Sequence, residues 1–186
     1  MRFIRNQFAR FGREDRGAII AEAVLVLPFM FWAFLGLFVY WDAFRAMNKV
    51  QKASYTISDM ISREMVTIND AYITGMDTLM ERLIDTDQDV TIRVTSVTWN
   101  EDNNRFEVHW SRSTGTLMPR LTTTTLQNYA SLIPDMSDGD YVVIVESSVS
   151  YTPAFNIGMG EQELSQFIVT RPRFVPKVCL SGVACS

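Results

Sequence analysis

One histidine, two cysteines and a few spaced carboxylates are the residues of this 186-residue chain whose types suit chemistry. His109 would serve a hydrolytic triad only beside a nucleophile and a carboxylate. No nucleophile elbow or similar motif accompanies it, so a surface or structural histidine on a strand is the better reading. Gly158-Met159-Gly160 has no phosphate-loop context and reads as a turn. Asp85-Thr86-Asp87-Gln88-Asp89 resembles the opening of a calcium loop. Val90, however, stands where the glycine belongs and Ser96 where the closing glutamate belongs. A solvated helix-to-strand connection fits that run better. Cys179 and Cys185, in C-L-S-G-V-A-C-S, suit a disulfide closing a short loop in an oxidising compartment. Two unpaired thiols in a terminal tail are the alternative. Only His109 could join them on a metal, and zinc usually takes four ligands. No catalytic residue, metal site or cofactor is assigned.

One charged side chain stands where charge is costly. In R-G-A-I-I-A-E-A-V-L-V-L-P, Glu22 lies inside an apolar run that starts at Ala18 and contains Pro28. A carboxylate at the centre of a lone span costs roughly 2.5–3.5 kcal/mol, and less near an interface. Glu22 can snorkel to the headgroups, or it can meet a positive partner within the membrane. If the chain is cut after Gly17, the new amino group of Ala18 supplies such a partner on a neighbouring helix. The two charges attract strongly at low dielectric, and cut chains would pack side by side in register.

The element that must position Glu22 is membrane-like. From Ala23 to Trp41 about 19 residues carry no charge, and about 20 span a bilayer. A secretory signal has an apolar region of only ~7–15 residues followed by a small-x-small cleavage site. This run is longer and ends in Val39-Tyr40-Trp41-Asp42, with aromatics suited to an interfacial belt. A retained span over 18–41 is therefore preferred to a removed signal. Arg2, Arg5, Arg10, Arg13 and Arg16 precede it, and Arg45, Lys49 and Lys52 follow it. That bias puts the N-terminus inside and the remainder outside, in the bacterial periplasm or beyond. The net charge of −4 argues against a nucleic-acid partner.

Beyond the span the helical period continues. Met47, Val50, Ser54, Ile57, Ile61, Met65 and Ile68 recur at spacings of three and four, the stripe of an amphipathic helix. One helix from Ala18 to about Ile68 is predicted. Asn69 then caps a second helix to about Ile84, and 42–85 reads as a helical stalk. From residue 86 the period becomes two. Val90, Ile92 and Val94 alternate with polar residues, and the change of face at Val97 and Trp99 suggests a bulge. Asn100 to Asn104 supply a turn into Phe106, Val108 and Trp110. Leu121 to Ile133 reads as a short helix weakened by four threonines. Tyr141 to Tyr151 reads as a central strand and Leu164 to Thr170 as a fourth. The predicted class is α+β, a long N-terminal helix on a small antiparallel sheet of about four strands.

A basic leader ending in Gly17, an apolar helix from Ala18 and a glutamate five residues past the junction resemble a type IV prepilin. The run Glu22-Ala23-Val24-Leu25-Val26-Leu27-Pro28 resembles more narrowly the TadE and TadF pseudopilins of the tight adherence, Flp-type pilus system. Tyr141 to Glu146, Tyr151-Thr152-Pro153-Ala154-Phe155 and Arg171-Pro172-Arg173 are similar to distal parts of TadE-like proteins. Many members place an aromatic after the glutamate, where this chain has Ala23.

The resemblance implies a pilin-like structural and assembly protein, not an enzyme. A prepilin peptidase would cut between Gly17 and Ala18, with 1–17 as leader and Glu22 as the fifth mature residue. Pro28 would kink the transmembrane helix. The implied partners are the inner membrane, the peptidase and other Tad pilus components and pilins, with no nucleic acid and no small-molecule substrate. The implied role is assisting an adhesive pilus. The main alternative is a single-pass, membrane-anchored periplasmic binding or sensor module that keeps its leader. A membrane-anchored periplasmic enzyme would need a convergent polar cluster.

Overall fold

The computed structural model describes residues 16–85 and 89–185, with side chains from residue 20 onward. Residues 1–15 of the expected leader, Thr86-Asp87-Gln88 of the acidic connection and Ser186 lie outside the described residues. Helix α1 runs over Arg16–Ser62, 47 residues, with Pro28 inside it. Helix α2 covers Asp70–Ile84, as its cap signals require. Asn69 Oδ1 accepts from the Tyr72 N–H at 2.8 Å, Asp70 occupies the first turn, and Asp85 closes the helix in the left-handed region at φ 56°.

Four strands follow: β1 Val90–Asn100, β2 Arg105–Ser113, β3 Tyr141–Tyr151 and β4 Gln162–Thr170. They form one antiparallel sheet in the order β2-β1-β3-β4. The fold is α+β, with a long apolar N-terminal helix and a four-stranded antiparallel sheet. Two compact units divide the chain. One holds the helix up to Asp42 together with Pro153–Met159, and the other holds Ala43–Thr152 and Gly160–Ser186. In the second unit the distal part of α1 and α2 pack with the sheet.

Each sheet face has its own core. Val50, Ala53, Ile57 and Ile61 of α1 and Ile73, Met76, Met80 and Ile84 of α2 bury against Ile92, Val94, Val143 and Val145. Ser54, Ser58 and Ser62 share that buried face of α1. Ser54 donates to the Val50 carbonyl at 2.8 Å, so the Ser147 hydroxyl, 2.7 Å away, donates to Ser54. The opposite face holds Val97, Phe106, Val142 and Ile144 against Leu121, Leu126 and Ile133. Strand β3 is therefore buried on both faces through Val149.

Three details differ from the periodicity. Helix α1 ends at Ser62, not near Ile68, and Met47 and Met65 are exposed rather than part of the buried stripe. The chain leaves the helix so that Ile68 can bridge to Leu180, with Ile68 N–H on the Cys179 carbonyl at 3.0 Å and Ser181 N–H on the Ile68 carbonyl at 2.8 Å. On α2, Leu83 continues the apolar spacing of Ile73, Met76 and Met80, yet it is exposed and Ile84 is buried.

The register breaks between Ser96 and Val97, but the additional residue is His109, on β2. Ser96 opposes Trp110 while Val97 opposes Val108. Strand β1 alternates without interruption, and its two halves are apolar on opposite faces. The bulge turns Trp110 into the helix-side core while Phe106 and Val108 stay on the other side.

The threonine-rich segment is a four-residue helix α3, Thr123–Leu126, continued by a 3-10 helix over Gln127–Leu132. Thr122 and Thr125 cap it reciprocally: each side-chain oxygen accepts from the other's backbone N–H.

Candidate functional site

The apolar part of α1 meets the geometric needs of a membrane span. It is a helix long and apolar enough to cross a bilayer, with mean hydropathy 2.2 over its most apolar window, near the N-terminus. Leu25, Phe29, Phe31, Phe34 and Leu37 are 77, 68, 69, 66 and 71 % exposed. Each large side chain left in water forgoes roughly 1.5–3 kcal/mol of transfer free energy, so this surface favours an apolar surrounding and is compatible with a membrane span. The charge-free stretch from Ala23 to Trp41 rises about 28 Å at 1.5 Å per residue, close to the ~30 Å hydrocarbon core.

Glu22 opens this surface and is exposed. Among the described residues no basic side chain forms an ion pair with it. Gly17 and Ala18 lie in the helical backbone of α1, one turn before Glu22. Pro28 sits within the helix and supplies no N–H to the Val24 carbonyl.

The C-terminal tail forms a second constellation, in the sheet unit. Cys179 and Cys185 are joined by a disulfide with their Cα atoms 5.7 Å apart. His109 reaches the loop that the disulfide closes. Its Nε2 lies 3.0 Å from the Ala184 carbonyl, so Nε2–H donates. The ring packs edge-on against Tyr141 at 5.6 Å between centroids. One residue further, Trp110 Nε1–H donates to the Val178 carbonyl at 2.9 Å. The two consecutive residues at the bulge thus each bond a carbonyl of the tail. Among the described residues no three His, Cys, Asp or Glu side chains gather as metal ligands.

A recess of about 550 Å³ opens on the sheet face that carries α3, lined by Met118, Leu121, Tyr129, Phe167 and the Arg93–Glu146 pair. Arg93 donates twice to the Glu146 carboxylate and once to the Pro119 carbonyl, each at 2.6 Å. Burial works against the Arg93 charge, but the Glu146 carboxylate outweighs it and holds the guanidinium pKa above its usual value. Both charges are therefore already satisfied. Sequence reasoning missed this pair. Arg93 and Glu146 lie 53 positions apart, and only the β1–β3 register makes them neighbours.

No protein-family model matches the chain, and no curated protein matches it in sequence.

Proposed function

We propose that this chain is a TadE-like pseudopilin that assists assembly of an adhesive Flp-type pilus. A prepilin peptidase removes the leader after Gly17, and the mature chain begins at Ala18. Helix α1 crosses the bacterial inner membrane once, with its N-terminus cytoplasmic and the sheet unit periplasmic. The carrying observation is Glu22, an exposed carboxylate at the head of a long lipid-suited helical surface, five residues past a glycine. At that position the new amino group of a neighbouring chain can neutralise it in a low-dielectric layer. The Cys179–Cys185 disulfide supports an oxidising compartment for the distal unit. The test is the N-terminal residue of protein purified from cells with an active prepilin peptidase. Ala18 is expected, and an intact leader overturns the reading.

A further inference from the structure

The connection between β3 and β4 packs on the apolar helix. Its residues Pro153–Met159 belong to the same compact unit as α1 up to Asp42. Phe155 meets Phe38 edge-on, with ring centroids 6.2 Å apart. Ile157 Cδ1 comes within 3.7 Å of where a Cβ on Gly36 would stand, an ordinary van der Waals separation, so Ile157 lies against the helix at this level. The segment P-A-F-N-I-G-M carries no charge. Gly158 supports its turn at φ 101°, in a region that side-chain-bearing residues rarely adopt. Phe155 nevertheless remains 47 % exposed.

The depth of these contacts is informative. Phe38 and Gly36 lie four and six residues before Asp42, the first charge after the span. At 1.5 Å per residue that is about 6–9 Å along the helix. Groups that lie in the membrane interface bury their apolar parts about 5–10 Å into the headgroup and acyl boundary. Tyr40 and Trp41 flank the same level of the helix and are 55 % and 59 % exposed, as an interfacial aromatic belt requires.

We infer that the Pro153–Met159 loop is a second membrane contact, inserting Phe155 and Ile157 into the outer boundary of the lipid beside α1. Its ligand is the acyl and headgroup boundary of the bilayer. The inference rests on α1 spanning a membrane, and does not need leader cleavage.

Site-directed spin labelling of the full chain tests it, in vesicles of phosphatidylethanolamine and phosphatidylglycerol. Single cysteines replace Phe155, Ile157, Leu37 or Asp138, with the Cys179–Cys185 disulfide left closed. Labels at positions 155 and 157 are expected to collide more often with oxygen than with a water-soluble nickel chelate, as at position 37. The order should reverse at position 138, in an exposed loop of the sheet unit. Dominant nickel collisions at 155 and 157, with position 37 still in lipid, overturn the loop contact alone. Nickel collisions at 37 as well overturn the spanning helix and the loop contact together. Labels at 155 and 157 shielded from both reagents would mean burial against protein, which also overturns the lipid assignment.

Discussion

Arg93 and Glu146 stand opposite each other across β1 and β3, joined by two 2.6 Å hydrogen bonds, with side chains only 6 % and 8 % exposed. Tyr129 lies over the guanidinium at 5.9 Å and stacks on Phe167 at 5.7 Å. Arg93 also donates to the Pro119 carbonyl, which ties the chain entering the threonine-rich segment to the sheet. Removing one charge leaves the other buried and uncompensated. Glu146→Gln should therefore cost about 3–5 kcal/mol of stability. The double change Arg93→Met, Glu146→Leu should cost much less or nothing, since it removes both desolvation penalties. Urea unfolding of the two variants beside the unaltered protein checks this. A double variant as unstable as the single one would mean that the hydrogen bonds, not the charges, dominate.

Gly115 is a steric requirement. A Cβ there would stand 2.5 Å from Thr91 Oγ1 and 3.0 Å from its Cγ2. Thr91 is buried at 3 % exposure and β-branched, so its side chain has little freedom to withdraw. Gly115→Ala should destabilise by about 1–3 kcal/mol. The double variant Gly115→Ala, Thr91→Ser should recover part of the loss by removing the methyl contact. Thermal midpoints of the two variants decide the point.

The elements were legible where burial follows a simple period. Asn69 reads as a cap because its amide meets an otherwise orphaned N–H, a purely local event. Tyr141–Tyr151 reads as central because its apolar residues fall on both faces. The end of α1 was not legible, since Met65 and Ile68 keep a helical spacing. What stops the helix is Leu180, more than 100 positions away, which recruits Ile68 by backbone pairing. The bulge was visible as a change of face but its strand was not. A break in register looks the same from either strand until the partners are known. Of the candidate site, Glu22 and the cysteines announce themselves by type, whereas Arg93 and Glu146 look like ordinary strand charges.

The disulfide is one of several restraints on the tail. Val178 and Leu180 are 1 % exposed, and the backbone on both sides of Leu180 is bonded to Ile68. Cys185→Ser opens only the terminal loop that His109 meets at Ala184. Its cost should stay below about 2 kcal/mol, as expected for a short loop. In the unaltered protein both thiols should resist maleimide until a reductant is added. Free reaction of both without reductant would contradict the bond.

Asp77 gives the stability a pH dependence of defined sign. It accepts a 2.9 Å hydrogen bond from Thr114. Burial still holds its carboxyl above the usual range, with Glu81 adding to the effect and Thr114 opposing it. Over the window between the ordinary carboxylate pKa and the raised one, the folded chain binds more protons than the unfolded chain. Stability is then greatest below that window and falls as pH rises through it. Asp77→Asn should flatten this slope, with a gain of at most ~0.5 kcal/mol at neutral pH for a partly buried group. Thermal midpoints measured from about pH 4 to about pH 7 should fall less for the variant than for the unaltered protein. Parallel profiles would assign the slope to other groups.

Glu22→Gln separates membrane insertion from assembly. Glutamine keeps the size and polarity of the side chain and removes only its charge. The apolar surface from Ala23 onward is untouched, so the variant should enter the membrane as well as the unaltered chain. What it loses is attraction for a positive group in the same layer, an interaction strengthened by the low dielectric there. Membrane fractionation should therefore show equal amounts of both forms, while recovery with pilus components should drop by about tenfold or more, the equivalent of ~1.4 kcal/mol. Glu22→Asp, which keeps the charge on a shorter arm, should fall between the two. Equal recovery of all three forms would make Glu22 a snorkelling residue with no role in register, and the pseudopilin reading would lose its main support.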